Sequence, residues 1–169
     1  MHSFYVENIQ KVIKNKNLLE KKLKVKLTLR GHNINISGNE TNEYFAVKVF
    51  EAIDSDFPLN IALLLTDSPE EYMIEHLNIK DFTRRSNLAE IRARIVGRKG
   101  KTRKTMEELS ACYISLHDNT VSIIGQAEDM ENATQALVKL IKGSKQSSVY
   151  GFLERVRNKT KGDLGLRKI

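Results

Sequence analysis

The residues best suited to do chemistry in this chain form the run Gly97-Arg98-Lys99-Gly100. Two glycines, three positions apart, enclose two cations. A phosphate group binds well where backbone N–H groups can be approached closely, and a glycine has no Cβ to block that approach. Arg98 and Lys99 supply positive charge at the same place. The run therefore predicts contact with a nucleic acid, in the first place single-stranded RNA.

Further cations flank this run on both sides. Some of them lie at the start of the next predicted helix, where the helix dipole favours negative charge and disfavours cations. A bound phosphate would offset this unfavourable interaction. Two arginines of the preceding helix are expected to border the same groove. The flanking candidates for RNA binding are Lys101, Arg103, Lys104, Arg92 and Arg94.

Two isoleucines complete the candidate site. Ile95 is expected to floor the groove, and Ile114, with the backbone of its strand, to contact base edges. Plain core packing is the alternative for both side chains.

The spacing of the two glycines is a weak signal by itself, because a chain with 9 glycines in 169 residues can match it by chance. A second match, Gly162-Asp163-Leu164-Gly165, has an acid between its glycines and no helix pattern after it, which predicts a flexible tail. Charge separates the two matches. Residues 84–104 carry nine Lys or Arg against the single acid Glu90, an excess of +8 within a chain of net charge +7. Such a balance suits a polyanionic partner, although many small proteins are basic for solubility alone.

Composition excludes several classes of protein. One cysteine allows no intramolecular disulfide and no multi-cysteine zinc site. No apolar run approaches the length of a membrane span, and the first residues lack the plan of a signal peptide. We expect a protein of the cytoplasm with no membrane partner.

The sequence gives little support to catalysis. Its four histidines are scattered without metal-ligand spacing, and no phosphate-loop or nucleophile-elbow pattern occurs. Cys112 begins an apolar strand and is expected in the core, while Glu107 and Glu108 are typical of a helix surface. We therefore expect no enzyme activity, no metal site and no cofactor.

The elements that must position the loop follow from periodicity. A strand is expected within 72–82, then a helix through Ile91 and Ile95, the glycine loop, and a second helix to Ala111. Strands at 112–117 and 120–124 form a hairpin ending at Gly125, and a helix covers 127–141.

The first half of the chain repeats this order. A short strand at 4–6, helices at 9–13 and 18–23, a hairpin of 25–29 with 33–36, and a helix through Tyr44 and Ile53 match the second half at a period of about 85 residues. The glycine loop is replaced by Lys14-Asn15-Lys16-Asn17, whose side chains prevent close backbone contact. The second helix of this copy is expected to be about one turn shorter.

These patterns predict an α+β protein with four parts. Residues 1–54 and 72–143 form two modules, the first with a degenerate loop. Residues 55–71 form an acidic linker with a short apolar helix from 59 to 65, and residues 144–169 form a C-terminal helix and a basic tail.

At the loop, the pattern Ile-x-Gly-x-x-Gly in the βααββα order resembles the type I KH domain. More narrowly, residues 94–102, 106–109, 119–125 and 148–154 are similar to the second KH domain of the small-subunit ribosome-assembly factor called partner of Nob. The Val149-Tyr150 pair after the last helix is the most distinctive of these matches. The resemblance is strong over 72–159 and faint but collinear over 1–60, and it is to the short archaeal form.

The resemblance implies a non-enzymatic factor that binds the single-stranded 3′ region of small-subunit rRNA. It also implies three protein partners: the Nob endonuclease, the dimethyladenosine transferase and the alpha subunit of initiation factor two. Many archaeal relatives keep a glycine loop in both copies, so the departure at Lys14–Asn17 leaves RNA binding to the second copy.

Two other functions stay open. The chain could be a KH protein of mRNA decay or translation, which would not prefer an rRNA 3′ end. It could also be a scaffold whose first domain holds a protein while the second tethers RNA weakly.

Overall fold

The computed structural model describes residues 2–163, with side chains through Lys159. The chain divides into two compact units, and the boundary lies between Ile74 and Glu75. None of the helices in the described range is long and apolar enough to cross a lipid bilayer.

The first unit begins with the βααββα order that the sequence predicts. It contains β1 (His2–Tyr5), α1 (Ile9–Lys14), α2 (Lys16–Leu23), β2 (Lys26–Arg30), β3 (Asn33–Ser37) and α3 (Glu40–Asp54). The sheet order is β1-β3-β2, and both pairings are antiparallel. Alternate residues of the strands, such as Leu27, Ile34 and Ile36, are buried, so one face of the sheet forms the core of this unit.

The acidic segment after α3 belongs to this unit. It forms two short helices, α4 (Leu59–Ala62) and α5 (Leu64–Asp67), where the sequence predicted one. Both contact α3, and Phe57, Ala62 and Leu65 are buried.

The second unit has the same order with longer elements. It contains α6 (Leu88–Val96), a 3₁₀ turn over Arg98–Gly100, α7 (Lys101–Ser110), β5 (Tyr113–His117), β6 (Thr120–Gln126) and α8 (Ala127–Ile141). Its first strand, β4 (Tyr72–Asn78), begins with the last three residues of the first unit. The sheet order β4-β6-β5 repeats that of the first unit. Two tandem βααββα motifs confirm the predicted α+β class.

A ninth helix, α9 (Gln146–Asp163), follows the second motif. Its Val149 and Leu153 are each 1% exposed and lie in the same core as Ile91, Met106 and Leu137. The tail predicted for residues 162–165 thus begins inside this helix, and residues 164–169 lie outside the described range.

A glycine at the end of each hairpin, Gly38 in the first unit and Gly125 in the second, is required by packing. The same packing explains why both copies of the motif have a glycine at this position. At Gly125 a Cβ would lie 2.5 Å from Sγ of Cys112, and at Gly38 a Cβ would lie 2.9 Å from Cγ1 of Val25. Cys112 and Val25 each directly precede the first strand of their hairpin. Strand β6 runs through Gly125 to Gln126, so the predicted end of the strand at residue 124 is two residues too early.

The first unit has no loop at the position equivalent to the glycine loop. Lys14 is the last residue of α1, Asn15 alone joins the two helices, and Lys16 begins α2. Asn15 has φ −114°, so the junction needs no left-handed residue. Helix α2 has eight residues against ten in α7, about half a turn less rather than a whole turn.

Candidate nucleic-acid interface

The glycine loop lies between two helices that the core holds in place. Asn87 precedes helix α6, and its side chain accepts a hydrogen bond from the N–H of Glu90. The helix buries Ile91 and Ile95, one turn apart. Helix α7 buries Thr102 and Met106. The residues between the helices project as a short turn, in which Arg98 and Lys99 are exposed and Lys99 has a left-handed backbone (φ 54°, ψ 30°).

The two glycines of the loop have different surroundings. Gly97 has φ +75° and ψ 176°, and a Cβ there would lie 2.6 Å from Cβ of Thr102. Gly100 has φ +75° and ψ 14°, and a Cβ there would meet no atom within 4 Å. Gly97 is thus required by the packing of α7 against the loop, while Gly100 leaves an open backbone surface for a ligand.

An open groove runs beside α6. It is lined by Arg92, Ala93, Val96, Leu116, Asp118 and Asn119. Arg92 donates a hydrogen bond to Oδ1 of Asn119, in the turn between β5 and β6. The groove therefore has an apolar floor between a helix and the edge strand β5, and polar groups at one end.

Ile95 and Ile114 do not line this groove. Each is 1% exposed and belongs to the core cluster of the second unit. The apolar side chains that face the groove are instead Val96 and Leu116, which are half-buried. Val96 is the residue after Ile95 on α6, and Leu116 is two residues from Ile114, on the same face of β5 but nearer its end. The sequence thus predicted the two elements that border the groove, while Ile95 and Ile114 pack in the core, the alternative considered for both.

The backbone of Ile114 is also engaged. Its N–H donates to Oε1 of Glu107 at 2.9 Å, and its carbonyl accepts from Nη1 of Arg103 at 3.4 Å. Arg103 and Glu107 further form an ion pair at 3.6 Å. The guanidinium of Arg103 is therefore directed at the strand edge, whereas Lys101 and Lys104 are exposed.

Leu116 has the open backbone on this edge. Because His117 pairs with Thr120 across a two-residue turn, the backbone groups of Leu116 face away from β6. Within the described residues they have no hydrogen-bond partner. Sequence reasoning missed Leu116 since the alternation of β5 does not say which residues face the free edge.

Arg92 and Arg94 lie on opposite sides of α6. Arg94 donates from Nη2 to the carbonyl of Ser144 at 2.6 Å, in the segment between α8 and α9. Gln146 of the same segment donates from Nε2 to Oγ1 of Thr102 at 3.1 Å. The structure thus places Arg92 at the groove and Arg94 away from it, and it ties the α8–α9 segment to both helices that flank the loop.

Cys112 is a core residue, as the sequence predicted. It is 2% exposed, and burial, together with the nearby charge of Asp129, raises the pKa of its thiol to about 12. The thiol therefore remains protonated at neutral pH, which makes it a poor nucleophile.

The second unit, with its βααββα order, its GxxG turn and its groove against an edge strand, defines a type I KH domain. Comparison with known proteins agrees: the family of the second KH domain of PNO1, described as a eukaryotic-type KH domain (KH-domain type I), matches residues 73–158. The chain belongs to this PNO1 family, which confirms the resemblance to partner of Nob.

Individual relatives agree with this assignment. KH domain-containing protein MJ0443 of Methanocaldococcus jannaschii is 32% identical over 86% of this chain and 66% of its own length. The pre-rRNA-processing protein pno1 of Aspergillus fumigatus is 34% identical over 60% of this chain and 40% of its own. The chain thus spans less than two thirds of these curated relatives.

A solved structure is similar over a larger share of both chains. A chain in the crystal structure of the a/eIF2alpha–aDim2p–rRNA complex from Pyrococcus horikoshii OT3 has a TM-score of 0.83 at 29% identity. The match covers 94% of this chain and 94% of that one.

Proposed function

We propose that this protein is a non-enzymatic RNA-binding factor of small-subunit ribosome biogenesis. Its second KH domain would hold the single-stranded 3′ region of small-subunit rRNA. The observation that carries the proposal is the exposed Arg98-Lys99 pair, held between two left-handed glycines at the end of an open groove. The names of the relatives, a pre-rRNA-processing protein and an rRNA complex, support the choice of RNA.

Each part of the site has a distinct task in this proposal. Gly100 lets the sugar-phosphate backbone approach the loop, and Arg98, Lys99, Lys101 and Lys104 neutralise phosphates. Val96 and Leu116 make van der Waals contacts with base faces in the groove, and such contacts do not depend on the identity of the base. The free N–H and carbonyl of Leu116 bind base edges, which gives the site its sequence preference.

The test is a titration of the protein with a labelled RNA that matches the 3′ end of small-subunit rRNA, beside a scrambled RNA. Arg98→Asp with Lys99→Asp changes the loop charge by four units. We expect this variant to lose RNA binding and to show a flatter dependence of binding on salt, because phosphate contacts are lost. Its melting temperature should not change, because both side chains are exposed.

A matched control is present in the first unit. Lys14→Asp with Lys16→Asp makes the same charge change at the equivalent junction between α1 and α2, where there is no loop. This variant should retain most of the affinity and all of the preference for the 3′-end RNA. Equal losses of affinity in the two variants would mean that general positive charge, and not the glycine loop, binds the RNA. Equal binding of the wild type to both RNAs would contradict the rRNA assignment.

A second role, protein docking by the first unit, is favoured by a separate observation. The exposed large hydrophobic side chains of the described residues all belong to that unit: Tyr5, Ile13, Leu18, Tyr44 and Met73. Tyr44 and Met73 border a cleft of about 260 Å³, beside Phe45, Leu65, Pro69 and Tyr72. We call it the apolar cleft, although the charged Lys48 also lines it. We propose a protein partner for this cleft, and the a/eIF2alpha of the similar complex is the first candidate to test.

A further inference from the structure

A second group of cations lies in the KH unit, away from the glycine loop. Lys80, Arg84 and Lys142 line a cleft of about 370 Å³, together with Asp81, Phe82 and Thr83. Gly143, the residue after Lys142, adjoins two further arginines, Arg85 and Arg94. We call these five cations, Lys80, Arg84, Arg85, Arg94 and Lys142, the basic surface.

Two guanidinium groups of the basic surface converge on one point. From the position that a Cβ would take at Gly143, Nη2 of Arg85 lies 3.3 Å away and Nη1 of Arg94 lies 3.9 Å away. Arg94 is held by its hydrogen bond from Nη2 to the carbonyl of Ser144. Because both guanidinium groups lie within 4 Å of the same point, their positive charges repel each other. An anion bound between them would be attracted to both.

The basic surface has no acidic partner that would account for it. Among the described residues, none of the five cations forms an ion pair, and Asp81 is the one acid in the lining of the cleft. A structural salt-bridge network would show carboxylates between the cations. One carboxylate, Asp81, cannot balance five cations, so the basic surface keeps a positive excess that a negatively charged ligand would neutralise.

The position of the basic surface relates it to the loop. Arg92 and Arg94 are two residues apart on α6 and so point to opposite sides of the helix; Arg92 lines the groove and Arg94 belongs to the basic surface. Arg84 and Arg85 precede α6, and the glycine loop follows it. With nine residues, α6 is about 13 Å long, and a strand that leaves the groove would pass its N-terminal end, beside Arg84 and Arg85, to reach the other side.

We propose that the basic surface binds the phosphate backbone of nucleotides that flank those held at the glycine loop. A glycine loop of a KH domain clamps about four nucleotides, and a longer single strand would continue past the start of α6 to the basic surface. Phe82 packs against the core and also lines the same cleft, where the exposed part of its ring would contact one base, which favours single-stranded RNA over an acidic peptide. This inference rests on the proposed RNA-binding function.

The test compares two RNAs from the 3′ end of small-subunit rRNA, one of about six nucleotides and one of about sixteen, against the four that a loop clamps. The variant is Arg84→Ala with Arg85→Ala and Lys142→Ala, three exposed side chains. We expect it to bind the short RNA like the wild type and the long RNA about tenfold more weakly. The slope of log affinity against log salt should fall by about 0.7 per lost phosphate contact, for the long RNA alone.

A matched control removes the same charge elsewhere. Lys21→Ala with Lys26→Ala and Arg30→Ala takes three exposed cations from the first unit and should leave both RNAs bound as before. The inference is overturned if this control weakens the long RNA equally, or if the variant at the basic surface binds the long RNA like the wild type. Failure of the wild type to bind either RNA would instead overturn the proposed function as well. Thermal unfolding of each variant confirms that folding is intact.

Discussion

The two glycines of the loop differ in what surrounds them. Gly97 is needed for folding, whereas Gly100 is available for binding. Gly97 is closed in by Thr102, and its backbone lies in a region that only glycine adopts readily. Gly100 has left-handed backbone but open surroundings. Only the second glycine is free to make room for a ligand.

Replacement of each glycine by alanine should have different effects. Gly97→Ala adds a collision with Thr102 to backbone strain and should lower the free energy of unfolding by more than about 2 kcal/mol. Gly100→Ala should lower it by about 1–2 kcal/mol, the cost of a left-handed residue with a Cβ, and should also weaken RNA binding. Urea denaturation and RNA titration measure the two effects.

Gly31 provides the control for this pair. It has φ +60° in the hairpin of the first unit, and a Cβ there would also meet nothing within 4 Å. Gly31→Ala should therefore match Gly100→Ala in stability and bind RNA like the wild type. Full RNA affinity in Gly100→Ala would show that the open surface of this residue is not used.

At the level of elements, the segment between α8 and α9 braces the loop. Ser144 accepts a hydrogen bond from Arg94 on α6, and Gln146 donates one to Thr102 on α7. Because Thr102 also packs against Gly97, the start of α9 is connected to the loop through one side chain. Helix α9 is thus a positioning element of the candidate site, although none of its described side chains lines the groove.

A double-mutant cycle tests this connection. Gln146→Ala should weaken RNA binding about threefold to tenfold, roughly the value of one hydrogen bond. In a protein that already carries Thr102→Val, the same change should have no further effect, because the acceptor is gone. Ser147→Ala, at the next exposed position of α9, is the control. Additive losses from Gln146 and Thr102 would contradict the connection.

Local sequence patterns predicted most of the helices and strands. Whether a side chain lies in the core or in the groove depends on its three-dimensional position. Apolar residues one turn apart, such as Ile91 and Ile95, identify a helix wherever they occur. The same apolar character suits both a core and a groove floor, so it could not assign Ile95 and Ile114 to the core and Val96 and Leu116 to the groove. That assignment depends on the neighbouring elements that cover each face.

The replaced loop in the first unit shows the same limit. The polar residues Lys14–Asn17 suit a loop and the ends of two helices equally well, and propensity differences among them are small. The structure closes the junction with Asn15 alone, because α2 begins directly at Lys16. The hydrogen bond from Gln146 to Thr102 could not be predicted either, since nothing in the sequence around Thr102 indicates a partner 44 residues away.

At the level of the whole molecule, the two units differ in the surface that they offer. The second unit carries the concentrated positive charge of residues 84–104 and an intact GxxG turn. The first unit lacks the turn and exposes large apolar side chains. A polyanion suits the former surface and a protein suits the latter.

This division predicts that RNA and protein binding can be lost separately. Tyr44→Ala with Met73→Ala removes two exposed side chains of the apolar cleft and should weaken binding to a/eIF2alpha without changing RNA affinity. Arg98→Asp with Lys99→Asp should do the reverse. Calorimetric titration of each variant with both ligands measures the pattern, and a loop variant that loses both would contradict a division between units.

The burial of Val149 and Leu153 has a consequence for anyone who dissects this protein by its motifs. A fragment that ends at Ile141 would contain every strand and helix of the βααββα pattern and, judged by that pattern alone, would be taken for a complete domain. It would nevertheless leave part of its apolar interior open to water and leave Thr102 without Gln146. The natural border of the folding unit thus lies beyond the border of the motif, and an affinity measured on the trimmed piece would understate that of the intact chain.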